Sequence, residues 1–239
     1  MDELVKQRGR EEPPFLAEEL APLQGIKEIV KTDLGEIDAL LIRRQDGYII
    51  KVNANSPATR QNYSCAHESG HTFLHELERG RLSNNEEFRC DESSVSGDTK
   101  ERLCQIAAAE LLMPESVFKK YLASFGVSVS SLERLAEKFK VSIHATAIRI
   151  AEVSPEPCIA IKWKPWQKTR SKGFIGFHLR KPIYVRNPSS LLKAYESDSA
   201  VNSFKSFEIG GIRKRCLMES KGFGHYKKRH VISLVLPDR

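Results

Sequence analysis

The run His67-Glu68-Ser69-Gly70-His71 puts two imidazoles and a carboxylate within five residues. On a helix, residues four apart share a face, with Cβ atoms roughly 5–6 Å apart. Two imidazoles so placed can ligate one tetrahedral zinc at about 2.0–2.1 Å. Glu68 follows the first histidine, which aims its carboxylate beside the metal and not onto it. From there it can take a proton from a water that the metal has made acidic and pass it to a leaving amine. This is the chemistry of peptide hydrolysis, with Glu68 as the catalytic base and His67 and His71 as metal ligands. The pattern also arises by chance, and the bland alternative is an amphipathic helix carrying two histidines and no metal. Phe73, Leu74 and Leu77 supply the apolar side that such a helix needs.

A catalytic zinc site requires a third protein ligand and one open position. The acidic residues downstream are Asp91, Glu92, Asp98, Glu101 and Glu110. Asp91 and Glu92 fall in a polar stretch read as a loop. Glu101 and Glu110 fall on one predicted helix, nine residues apart. At about 100° per residue they face opposite sides, so only one of them can point at a metal. Glu101 shares its face with Cys104, Gln105 and Ala108, which are small or polar. It could instead close a capping box on Asp98. Glu110 reads as an exposed helix position. His75, four residues past His71, reads as a core residue or a support for the ligands. His144, His178, His225 and His230 lack zinc-like spacing and read as structural or surface residues.

These side chains must be positioned by a scaffold. Residues 1–30 read as an acidic, partly helical lead-in broken by Pro13 and Pro14. Two apolar runs between Ile37 and Val52, split by Asp46-Gly47, predict a β-hairpin. A helix over about Thr59–Glu78 then carries the histidines, and Gly80–Gly97 reads as a loop. Asp98 and Glu101 predict a helix start, and Pro114 ends that helix. Further helices are predicted over Glu115–Ser124, Ser130–Phe139 and Ile143–Val153. Beyond Pro155 and Pro157 come β-prone runs, CIAIKW, GFIGFHL, PIYV, FEIGGI and HVISLVL.

The chain has 239 residues, 40% hydrophobic and 29% charged, which suits a soluble globular protein with a substantial core. No run of about 18 apolar residues predicts a membrane span. The charged N-terminus lacks the apolar core of a secretory signal. Five widely spaced cysteines with no CxxC pair argue against a disulfide framework and fit a reducing cytoplasm. The net charge of +7 is unevenly spread. Residues 157–239 hold 18 Lys and Arg against 5 Asp and Glu, a net +13, and the rest of the chain carries −6. A basic region of this kind meets nucleic acid or an acidic protein surface, or is simply a solvated face.

With these residues in view, Arg60–His75 (RQNYSCAHESGHTFLH) resembles the ImmA/IrrE family of HExxH metallopeptidases, whose members read R-x-x-F-T-x-A-H-E-x-x-H-x-x-L-H. Tyr63 stands where phenylalanine is usual. Glu101–Pro114 (ERLCQIAAAELLMP) resembles the family's zinc-glutamate helix, which ends in A-x-x-L-L-M-P. Its start departs from the E-x-E-A-N-x-F-A pattern common among relatives. The resemblance covers about residues 35–153 and implies Glu101 as the third zinc ligand. It implies an α+β fold: a zincin-like, gluzincin-type metallopeptidase domain with a small antiparallel sheet over 1–114, a helical segment resembling a helix-turn-helix over 115–156, and a basic, β-rich, GAF-like domain over 157–239. It also implies a cytoplasmic, regulatory zinc endopeptidase that cleaves a repressor containing a helix-turn-helix and so relieves repression after stress.

A second function class is a DNA-binding transcription regulator whose zinc site is structural or vestigial. It draws on the +13 region and on the helix-turn-helix-like pair over Ser131–Ile150. The second helix of that pair offers only His144, Thr146 and Arg149 as polar readers, fewer than direct base readout usually wants. A retained Glu68 favours the enzyme, because a structural zinc site has no use for a general base. A third class, a component of phage immunity or of a toxin–antitoxin pair, would use the same chemistry. For the basic region, Arg213, Lys214, Arg215, Lys227, Lys228 and Arg229 are candidates to meet an acidic partner. Manganese and iron suit the same donor set as zinc.

Overall fold

A computed structural model describes residues 11–77, 87–89, 99–167, 170–175, 179–186, 189–209, 212–224 and 229–238. Asp91, Glu92, Asp98, Cys90, His178, His225, Lys227 and Lys228 lie outside them. The fold is mixed α+β, and the chain divides into two compact units, Met1–Phe118 with Glu137–Ser142, and Lys119–Ala136 with Ile143–Arg239.

The predicted hairpin organises the first unit. Strands β2 (Ala39–Arg44) and β3 (Gly47–Asn53) pair antiparallel, with Leu41 opposite Ile50. The turn needs glycine at position 47: its φ is 147°, and a Cβ there would run into the carbonyl oxygen of Gly25. Two further strands complete a sheet of order β1-β3-β2-β4. Strand β1 (Ile26–Thr32) lies parallel to β3, and β4 (Glu87–Arg89) lies antiparallel to β2. The expected antiparallel sheet is therefore mixed, and it borrows a strand from each side of the hairpin. The lead-in is helical only over α1 (Ala17–Leu20) and the 3-10 turn Ala21–Gln24 before it becomes β1.

Helix α2 (Ala58–Leu77) carries the HExxH run and packs on β2, β3 and α3 (Thr99–Leu112). From Ser64 to Thr72 it is buried on nearly every side. Two of its buried hydroxyls are satisfied within the helix: Ser69 donates to the Cys65 carbonyl and Thr72 to the Ser69 carbonyl. The N-terminal half is tied to its surroundings by side chains. Arg60 donates to Asp38 at 2.6 Å. The Asn62 side chain accepts from Ala17 N–H and donates to the Phe15 carbonyl. Phe15, Phe118 and Phe139 form the aromatic heart of this unit, with ring centroids 6.2 and 5.1 Å apart around Phe139.

Helices α4 (Glu115–Phe125), α5 (Val129–Phe139) and α6 (Ile143–Val153) fall within a residue or two of the predicted ranges. The second unit is built on a six-stranded antiparallel sheet of order β7-β6-β5-β10-β9-β8. Its strands are β5 (Ile159–Gln167), β6 (Arg170–Ile175), β7 (Leu179–Arg186), β8 (Val201–Ile209), β9 (Ile212–Phe223) and β10 (His230–Pro237). A helix, α7 (Ser189–Glu196), interrupts the predicted run of strands and buries Leu191 and Ala194 against Trp163, Met218 and Val231. Within this apolar layer the Trp163 indole N–H donates to Ser233 Oγ at 2.8 Å, and Ser233 and Ser220 hydroxyls share a 2.7 Å hydrogen bond. Among the described residues no helix is long and apolar enough to cross a membrane.

Candidate metal centre

Helical phase brings the two histidines together. The His67 and His71 rings stand edge to face, with centroids 5.1 Å apart. Tyr63, one turn earlier, stacks on His67 at 6.2 Å. Both histidines are 7% exposed. Helix α3 contributes the third group. Cys104, Ala108 and Leu111 form its buried stripe, and Glu101 stands at the N-terminal end of that stripe. The Glu101 carboxylate, with 34% side-chain exposure, lies 3.2 Å from His67 Nε2 through Oε2 and 3.6 Å from His71 Nε2 through Oε1.

One ligand atom from each of His67, His71 and Glu101 falls within 4.8 Å of the other two. Donors held about 2.0–2.1 Å from a tetrahedral zinc stand about 3.3–3.4 Å from one another. The two His–Glu separations bracket that spacing, so the residues fit the ion. Two imidazoles and a carboxylate are also the donor chemistry of a catalytic site, which leaves a coordination position open. Glu68, next to His67 and 1% exposed, is the most deeply buried carboxylate of this cluster.

The other acidic candidate on α3 faces elsewhere. Glu110 accepts a hydrogen bond from the backbone N–H of Glu115 at 2.9 Å, so it caps the start of α4. His75 continues α2. Among the remaining histidines, His230 is half-buried with its ring 6.5 Å from that of Phe223, and His144 is half-buried on α6. Two of the thiols, Cys65 and Cys158, are poor nucleophiles. Burial pushes the Cys65 thiol up to about 12, with the Glu18 and Glu68 carboxylates adding to it, and burial alone pushes Cys158 to about 12. Both are protonated at neutral pH and chemically quiet.

Two expected roles are changed by the structure. Thr146 and Arg149, two of the three polar readers of the helix-turn-helix-like pair, are 0% and 6% exposed, and Arg149 pairs with Glu152. Arg229, expected to meet an acidic partner, is engaged within the chain. It donates to the carbonyls of Tyr195 and Ser197 and to the Asp198 carboxylate, closing the C-terminal end of α7. Sequence reasoning did not single out Gly70, whose closeness to α3 no motif announces.

The amino-acid sequence has relatives. Residues 25–151 match the IrrE N-terminal-like domain of the Peptidase M78 family. The chain is 29% identical over 150 residues to "Radiation response metalloprotease IrrE" of Deinococcus radiodurans, an alignment covering 59% of this chain and 44% of that protein. It thus spans less than half the length of that relative. It is 30% identical over 130 residues to "Metallopeptidase ImmA" of Bacillus subtilis, covering 52% of this chain and 69% of that protein. A solved structure titled "Mycobacterium tuberculosis transcriptional regulator" shares the fold, with a TM-score of 0.63 over 98% of this chain and 85% of that one at 14% identity. The match over more than half of its length shows that this chain belongs to the IrrE N-terminal-like, Peptidase M78 family.

Proposed function

We propose that this chain is a zinc-dependent endopeptidase with a zincin-like catalytic domain, in which His67, His71 and Glu101 hold the metal and Glu68 is the general base. The observation that carries the reading is the convergence of one ligand atom each from His67, His71 and Glu101 at the meeting of α2 and α3, with the deeply buried Glu68 next to His67 in the chain. When bound, the zinc supplies Lewis acidity toward a water and toward the scissile carbonyl. Glu68 takes a proton from the attacking water and delivers it to the leaving nitrogen as the C–N bond breaks. Tyr63 stacks on His67 and limits its rotation.

The substrate we propose is a helix-turn-helix repressor, as the resemblance of Arg60–His75 and Glu101–Pro114 to the ImmA/IrrE family implies, and the setting is the cytoplasm. In this reading residues 1–114 form the catalytic domain, 115–156 a helical segment, and 157–239 a GAF-like module that senses a signal or holds the substrate. A DNA-binding regulator with a structural zinc site is the second reading. The burial of Thr146 and Arg149 leaves its reading helix without two of its three polar side chains.

The test compares wild type with Glu68→Gln. New protein N-termini are mapped by mass spectrometry in cells expressing each, and zinc content is measured on the purified proteins. We expect both to carry zinc, and cleavage by the variant to fall by about 10²–10⁴-fold, the usual worth of a general base. Cleavage of the same protein by both at equal rates would remove Glu68 from the mechanism.

A further inference from the structure

The metal-binding reading leaves unexplained why α2 carries a glycine immediately before its second histidine. Gly70 sits in the middle of a 20-residue helix, where alanine is the better helix former. Its surroundings supply the reason. A Cβ at position 70 would lie 3.0 Å from Cys104 Cα, 3.2 Å from Cys104 O and 3.3 Å from Cys104 Cβ. Carbon atoms at optimal separation stand about 3.5–4.0 Å apart. Two of the three neighbours are backbone atoms, so no side-chain rotation relieves the contact. The helices α2 and α3 are therefore in tight backbone contact at Gly70, which lies between the two histidines on α2 and faces Cys104, one turn after Glu101 on α3.

We propose that Gly70 is a positioning residue for the metal centre: by letting the α3 backbone come up against α2, it allows the single donor on α3 to reach both histidines. The inference rests on the metal reading given above. A methyl group at position 70 forces α3 outward by a few tenths of an ångström. His67 and His71 share one helix and keep their mutual geometry, so the displacement falls on Glu101. Metal–ligand distances tolerate about ±0.2 Å, so the third ligand is lost or strained before the fold is.

The experiment titrates metal-free wild type, Gly70→Ala, Glu101→Ala and the Gly70→Ala/Glu101→Ala double variant with zinc against a chromophoric chelator. Thermal melts of the metal-free proteins run in parallel, and cobalt(II) spectra report coordination. We expect Gly70→Ala to stay folded and to bind zinc about 10- to 100-fold more weakly, the range seen when groups supporting metal ligands are altered. We expect its cobalt spectrum to change, and the double variant to bind no more weakly than Glu101→Ala. Wild-type affinity in Gly70→Ala would overturn the proposal and leave the metal reading standing. An equal loss on both backgrounds would overturn it as well, since the effect would then not pass through Glu101. A wild type that binds no zinc would overturn the metal reading, and this inference with it. Should Gly70→Ala fail to fold, Gly70→Ala/Cys104→Gly, which lacks the 3.3 Å contact but keeps the two backbone ones, takes its place under the same criteria. Unfolding of both variants would assign Gly70 to packing alone.

Discussion

Each of the two units holds a buried polar cluster, and the two clusters differ in kind. In the first, His67, Glu68 and His71 are buried together on one helix, two imidazoles and a carboxylate. In the second, the buried polar groups under α7 are Ser220, Ser233 and the Trp163 indole, none of which titrates near neutral pH. The serine–tryptophan network satisfies itself with short hydrogen bonds, so it fixes how an apolar layer packs. The histidine–carboxylate cluster concentrates titratable groups in a desolvated place, at a cost that a protein bears where chemistry is done. Similar burial therefore means opposite things, and the kind of polar group decides which.

The contrast can be broken by substitution. The largest effect belongs to Glu68→Gln, which keeps the side-chain volume: turnover collapses while metal binding persists. Smaller, and on a different readout, is Ser233→Ala. It removes the acceptor for the Trp163 indole and the partner of Ser220, leaving buried donors unmet at a cost of about 1–3 kcal/mol. The expected outcome is a lower urea midpoint with zinc affinity unchanged in the folded protein. Loss of zinc in this variant would show that the two units do not work separately. The smallest effect is Arg60→Ala. The Arg60 guanidinium, hydrogen-bonded to Asp38, holds the Asp38 carboxyl below the usual carboxylate range. A carboxyl with a depressed pKa in the folded state contributes stability above its unfolded value, about 3.9, and loses it as the pH falls through the folded value. Wild type and Arg60→Ala should differ by about 0.2–1 kcal/mol at neutral pH, as a partly exposed pair does, and their melting curves should converge in strong acid. A constant gap down to low pH would mean that Arg60 acts by packing.

Much of this was legible in the residues themselves. Spacing of four placed His67 and His71 on one face, and a separation of nine put Glu101 and Glu110 on opposite sides of α3. The Asp46-Gly47 turn fixed the hairpin. What escaped were the elements whose signal lies elsewhere in the chain. Strand β1 is held by its parallel partner β3, some twenty residues further on, and its IKEIVKT lacks clean alternation. Strand β4 is three residues long and exists through its pairing with β2. Helix α7, at eight residues, is shorter than the window over which helical periodicity shows. The β-prone FEIGGI run is shared between the end of β8 and the start of β9. The crossing at Gly70 depends on how two helices meet, which no local pattern encodes.

The central claim is that α2 and α3 together make a metal site. It is tested most directly by the metal content of purified wild type and His71→Ala, measured by plasma mass spectrometry after reconstitution and desalting. The account predicts about one zinc per wild-type chain, as three protein ligands and an open position require, and its loss in His71→Ala with the protein still folded. A wild type without zinc, or a His71→Ala protein that keeps it, would contradict the account.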